Sequence, residues 1–147
     1  MPVYEIRKYG DPILREKSKR LEDIGPKEQK IFSIMAETMY KARGIGLAAP
    51  QIGIEYQMII ADAGDKLIKL ANPVIIAKEG ENFLEEGCLS IPDVIVGIKR
   101  ARKILVKGWN EKGKEIEMEL EDLPARVILH EVDHLLGVLI VDYASPQ

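Results

Sequence analysis

Leu123-Pro124-Ala125-Arg126-Val127-Ile128-Leu129-His130-Glu131-Val132-Asp133-His134-Leu135-Leu136 is the stretch on which the reading turns. Asp122 can cap the free amides before it and Gly137 can end it, so a helix is expected over about Leu123 to Leu136. Both histidines of the chain fall inside it, four residues apart. On a helix that spacing stacks two imidazoles one turn above each other, facing one metal ion with Glu131 beside them. Two histidines placed at random would fall four apart only about 1% of the time, before the Glu is required. Reading them as ordinary histidines on a helix face, with a solvated carboxylate between, needs that coincidence.

A zincin protease would complete the motif with a downstream His or Glu, but after His134 the chain holds neither and has one Asp, Asp142. The other candidate is Cys88, the only thiol, in the turn-like Glu86-Gly87-Cys88-Leu89-Ser90 just after an extended segment. A thiolate and two imidazoles make three protein ligands and leave a fourth position for water, the mark of a catalytic site. From spacing alone, an inert buried thiol is an equal alternative for Cys88.

Around this stretch the 147 residues have the balance of one soluble globular domain, 1–147, with 46% hydrophobic, 31% charged and 5% aromatic side chains. One Cys excludes a disulfide framework and implies a reducing, cytoplasmic compartment. A formal net charge of −3 supplies no general field to hold nucleic acid or an anionic membrane. No apolar run approaches the roughly 20 residues that span a bilayer, and the first residues lack a signal peptide's apolar core.

Working back along the chain, Pro26 and Gly44 bracket a first helix over about Pro26 to Ala42. Its apolar stripe is Ile31, Ile34, Met35, Thr38, Met39 and Ala42, with both Met residues read as core filling. The charged segment from Asp11 to Pro26 reads as a solvated loop. Extended segments are expected at Gln57 to Asp62, at Leu67 to Ile76 with an interruption at Asn72-Pro73, and at Phe83-Leu84. Lys103 to Trp109 and Lys114 to Glu121 flank Asn110-Glu111-Lys112-Gly113, a hairpin turn. In the second arm Ile116, Met118 and Leu120 alternate with glutamates, so one face is buried and an antiparallel sheet follows. The fold class is α+β: antiparallel sheets around a central HExxH helix, with a second helix in the N-terminal half. Gly44-Ile45-Gly46-Leu47-Ala48-Ala49 follows a helix and lacks the third Gly of a dinucleotide site.

Three blocks, Gly44-Ile45-Gly46-Leu47-Ala48-Ala49-Pro50-Gln51, Glu86-Gly87-Cys88-Leu89-Ser90 and His130-Glu131-Val132-Asp133-His134-Leu135, resemble in order and spacing the signature motifs of the peptide deformylase family. Shorter matches at Tyr9 to Arg15, Ala71-Asn72-Pro73 and Val141-Asp142-Tyr143 extend the resemblance over nearly the whole chain. It implies removal of the formyl group from the N-terminal methionine of newly made proteins. It also implies Cys88, His130 and His134 as metal ligands, with Glu131 as general base and acid. The side-chain amide of Gln51 and the backbone N–H of Leu89 become donors to the developing oxyanion. Ile45 and Gly46 become the strand-like contact for substrate backbone, and Ile45, Leu84 and Val127 candidates for the methionine pocket. Glu86 is expected to orient the Cys segment through Arg100 rather than to contact the metal, and Asp133 either supports the ligands or forms a helix-surface ion pair.

The family's metal is expected to be Fe²⁺, one per chain, with Zn²⁺, Ni²⁺ or Co²⁺ able to replace it. The expected partners are N-formylmethionyl nascent peptides, in a bacterial-type cytoplasm. Three departures stand out. Leu129 replaces the Gln usual before the first His, and Ile95 stands where many bacterial members carry an Arg. The chain stops at Pro146-Gln147, so any proximity to the ribosome is expected without the C-terminal docking helix. A related metal amidase and a non-catalytic metal-binding or ribosome-associated module are the rival readings. A structural site needs neither Glu131 nor Gln51, and both are present.

Overall fold

The computed structural model describes residues 3–64 and 66–144. In chain order its elements are α1 (Pro26–Lys41), β1 (Gly46–Ala48), β2 (Met58–Asp62), β3 (Leu67–Glu79), β4 (Asn82–Cys88), β5 (Ile91–Arg100), β6 (Lys103–Trp109), β7 (Glu115–Glu121) and α2 (Leu123–Leu135). Short 3-10 helices stand at Pro12–Arg15, Ala49–Ile52 and Ile140–Tyr143. The α+β expectation holds. Five strands form one antiparallel sheet in the order β1-β2-β3-β6-β7, while β4 and β5 make a separate two-stranded sheet.

The interior strand β2 explains how the layers stack. Met58, Ile59, Ile60 and Ala61 are all buried, so this strand has no solvated face. Met58 and Ile60 join Ile31, Phe32, Ile34, Met35 and Met39 of α1 in one core. Ile59 and Ala61 turn the other way, onto Ala125, Ile128, Leu129 and Leu135 of α2. Full burial of each large apolar side chain contributes roughly 1.5–3 kcal/mol. Helix α2 is thus sandwiched between the five-stranded sheet and the β4–β5 hairpin.

Several local expectations are corrected. Asp122 does not cap α2 with its side chain; it has φ of 60° and acts as a corner, giving its backbone N–H to the Arg102 carbonyl at 2.8 Å. The left-handed residue that ends α1 is Arg43, not Gly44. Gly44 is required for close approach instead, since a Cβ there would stand 2.6 Å from Leu89 Cδ1. Gly137 does end α2, with φ of 77°. The entry segment is not simply solvated: Leu14 and Leu21 are buried, and the Asn72 amide binds both the N–H and the carbonyl of Leu21 at 2.8 Å. Asn72, at φ of 50°, marks a bulge in β3, which runs on past Ile76 to Glu79. Strand β5 is unassigned in the sequence reading, because Pro92, Asp93 and Gly97 interrupt its apolar pattern.

Candidate metal centre

Helix periodicity gives α2 three working faces. Ala125, Ile128, Leu129 and Leu135 pack on the sheet, so Leu129 is a core residue here. Arg126, His130 and Asp133 face the hairpin, reaching Glu86, Asn82, Ile98 and Arg100. Val127 and Glu131, one turn apart, lie against Gly46 of β1. The HExxH segment therefore meets two sheets at once.

Cys88 is the last residue of β4, paired with Ile91 of β5, so it sits at the end of the strand rather than in the turn after it. There its thiol meets the helix. One ligand-capable atom from each of Cys88, His130 and His134 lies within 4.8 Å of the others. Cys88 Sγ is 3.4 Å from His134 Nε2. A tetrahedral ion at usual Zn–S and Zn–N lengths would set sulfur and nitrogen about 3.6 Å apart, so the donor set fits a metal. His130 Nδ1 lies 2.9 Å from Glu86 Oε1; the carboxylate accepts that proton, leaving Nε2 with its lone pair free for a cation.

Glu131 lies beside these donors, 3% exposed, and its Oε1 has no hydrogen-bond partner among the described residues. Burial pushes its carboxyl up to about 7, against the pull of His130 and Arg100. Burial also opposes charge on His130, but Glu131, Cys88 and Glu86 outweigh it and raise that imidazole to about 10. His134 is driven down to about 3 by burial and by the charges of His130 and Arg100. A divalent cation among these donors favours neutral imidazole and ionised carboxylate, pulling His130 and Glu131 downward.

Glu86 is the hub of the supporting shell. Burial works against its charge, but His130 and Arg100 hold its carboxyl down at about 2. Arg100 donates to both its oxygens, from Nε at 2.6 Å and Nη2 at 2.9 Å, as the sequence reading expects. Asp133 joins through Arg100 Nη1 at 2.9 Å and accepts from the Tyr143 hydroxyl at 2.7 Å, so its ion pair is with the residue that grips Glu86. Arg126 is the residue that sequence reasoning missed. It donates to Glu86, yet the two stand 40 positions apart and no motif connects them.

Gln51 is buried beside the centre: its Oε1 accepts from Ala48 N at 2.9 Å, while Nε2 donates to Ser90 Oγ at 3.0 Å and points to Cys88 Sγ at 3.8 Å. A cavity of about 340 Å³ opens over these groups. Ile45, Gly46, Gln51, Leu89, Val127, His130 and Glu131 line it. Leu84 does not; it is half exposed on β4, about 6–7 Å of strand beyond Glu86, and Leu123 and Arg126 supply the wall instead. Ile95 stands exposed on β5, outside the lining.

The edge of this cavity is a strand. Among the described residues β1 pairs only with β2, and Asp62 N donates to Ile45 O at 2.8 Å. Alternation along an antiparallel ladder then turns the N–H and C=O of Gly46 to the open side. An extended peptide could add there.

Residues 3–147 match the polypeptide deformylase family. The chain belongs to the peptide deformylase family. It is 48% identical over 144 residues to the peptide deformylase of Halothermothrix orenii, covering 97% of this chain and 94% of that one. The Carboxydothermus hydrogenoformans peptide deformylase is also 48% identical, over 145 residues, with 99% and 95% covered. Among solved structures, peptide deformylase from Thermotoga maritima superposes with a TM-score of 0.96 at 43% identity, covering 99% and 100% of the two chains. Peptide deformylase from Synechococcus elongatus, solved in complex with actinonin, gives 0.95 at 38% identity, covering 100% of this chain and 81% of that one. No described helix of this deformylase-family chain is long and apolar enough to cross a membrane.

Proposed function

We propose that this chain is a metal-dependent hydrolase that removes the formyl group from the N-terminal methionine of newly synthesised proteins and releases formate. One observation carries the reading: three ligand-capable atoms converge beside a buried, unbonded carboxylate at the open edge of a strand. Family membership over residues 3–147 supports it, and in this reading residues 1–147 form a single catalytic domain.

In this reading Cys88, His130 and His134 hold the ion, which is Fe²⁺, with Zn²⁺, Ni²⁺ or Co²⁺ as replacements. Imidazole and thiolate suit both iron and zinc. When bound, the ion supplies Lewis-acid activation of water near neutral pH. Glu131 takes the water's proton as the formyl carbon is attacked, then delivers it to the departing amine.

Gln51 Nε2 and the Leu89 N–H stabilise the oxyanion, and the Ser90 and Ala48 contacts keep the Gln51 amide from rotating. Gly46 pairs with substrate backbone, and the methionine side chain enters between Ile45, Val127, Leu123 and the stem of Arg126. The substrate is a formylated nascent peptide, met in a bacterial-type cytoplasm close to the ribosome.

Formate release from formyl-Met-Ala-Ser tests the reading, run in parallel on protein purified with and without air. Activity that is high anaerobically and decays in air is expected for iron. Equal activity of zinc-loaded protein under both conditions would count against Fe²⁺ as the working metal.

A further inference from the structure

We propose that Arg126 is a positioning residue for the metal centre: it locks Glu86, and through Glu86 the ring of His130, onto the same helix. This rests on Cys88, His130 and His134 being the ligands. Arg126 and His130 stand one turn apart on the face of α2 that meets the hairpin, and Arg126 is 4% exposed. Its Nη1 donates to Glu86 Oε2 at 2.5 Å and to the Ile98 carbonyl at 3.1 Å. Its Nη2 donates to the Asn82 carbonyl and to Asn82 Oδ1, both at 2.9 Å. One guanidinium thus fastens the helix to both strands of the hairpin.

The two arginines on Glu86 do different work. Arg100 grips the carboxylate edge-on from β5 and is itself shared with Asp133. Arg100 also ties Glu86 to α2, but only by way of the Asp133 side chain, three residues beyond His130. Arg126 closes a loop that begins and ends on α2, running from its own Nη1 to Oε2, across the carboxylate to Oε1, and on to His130 Nδ1 at 2.9 Å. Its planar fork fixes direction as well as distance, which a lysine cannot do. Removing such a supporting partner typically costs 10- to 100-fold in metal affinity.

Arg126→Met keeps an unbranched stem on the cavity wall and removes the fork. Three quantities are compared with the unaltered protein: Zn²⁺ affinity by competition with a chromophoric chelator, the ¹⁵N-coupled His130 Nδ1 proton signal of the zinc form, and kcat and KM for formyl-Met-Ala-Ser. The expected result is roughly 10- to 100-fold weaker Zn²⁺ binding, a His130 proton that exchanges faster with solvent, and a fall in kcat that exceeds any change in KM. Arg126→Lys should lie between, about three- to tenfold weaker in Zn²⁺ affinity. A folded Arg126→Met protein with unchanged affinity and an unchanged His130 signal would overturn the proposal. Where Arg126→Met does not fold, unchanged affinity in Arg126→Lys overturns it instead. His130→Ala is the control: wild-type affinity in that variant would refute the ligand assignment itself, a failure distinct from that of Arg126.

Discussion

Glu86 Oε1 lies 2.9 Å from His130 Nδ1, and this contact decides which imidazole nitrogen faces the centre. Glu86→Gln can reverse it, because an amide presents either a donor or an acceptor. The variant should bind Zn²⁺ 10- to 100-fold more weakly, measured by chelator competition.

The same carboxylate gives the fold a pH dependence whose sign follows from its depressed pKa. Glu86 sits at about 2 when folded, against 4.5 as its reference, so the unfolded chain binds the proton more readily. Its contribution is fully present above pH 4.5 and is lost as the pH falls through about 2. At 1.36 kcal/mol per unit this is on the order of 3 kcal/mol. Urea unfolding of metal-free protein between pH 6 and 2 should show a steep acid loss that is shallower in Glu86→Gln.

Gly46 is held to glycine by Glu131 and Val127. A Cβ there would overlap Glu131 Oε2 and stand 2.6 Å from Val127 Cγ1. Gly46→Ala should therefore move the Glu131 carboxylate, with a loss in kcat/KM of about 10² and overpacking of roughly 1–3 kcal/mol. Steady-state kinetics and thermal unfolding of the zinc form check both. Unchanged kinetics would mean that Glu131 has room to retreat.

Gln51 carries a donor and an acceptor with separate jobs, and Gln51→Glu separates them. The variant keeps an oxygen for Ala48 N and loses the Nε2 donor. Turnover should fall about 10²- to 10³-fold with metal content unchanged. Loss of metal by elemental analysis would instead assign Gln51 to the support of Cys88.

Much of this architecture was legible because periodicity and spacing are local. The four-residue His spacing falls on α2 as read, the α1 stripe returns with Phe32 added and Ala42 just past the helix end, and Ile116, Met118 and Leu120 alternate with exposed glutamates on a face that is half-buried. What was not legible joins residues distant in sequence. Arg126 meets Glu86 across 40 positions, and Asn72 holds Leu21 across 51. Backbone conformation was the other gap. Arg43, just after α1, and Asp122, just before α2, adopt positive φ, although neither residue type announces it as glycine would. Leu84 illustrates the limit of resemblance: it is apolar and near Glu86, yet the cavity wall is supplied by α2 instead.

The central claim is that Glu131 transfers the proton in formamide hydrolysis at the Cys88, His130 and His134 centre. Formate release from formyl-Met-Ala-Ser by anaerobically purified protein, beside Glu131→Gln with its metal content measured, tests it most directly. The account predicts steady turnover in the first and near-complete loss with metal retained in the second. Absence of formate from fully metal-loaded protein, or substantial turnover by metal-loaded Glu131→Gln, would contradict it.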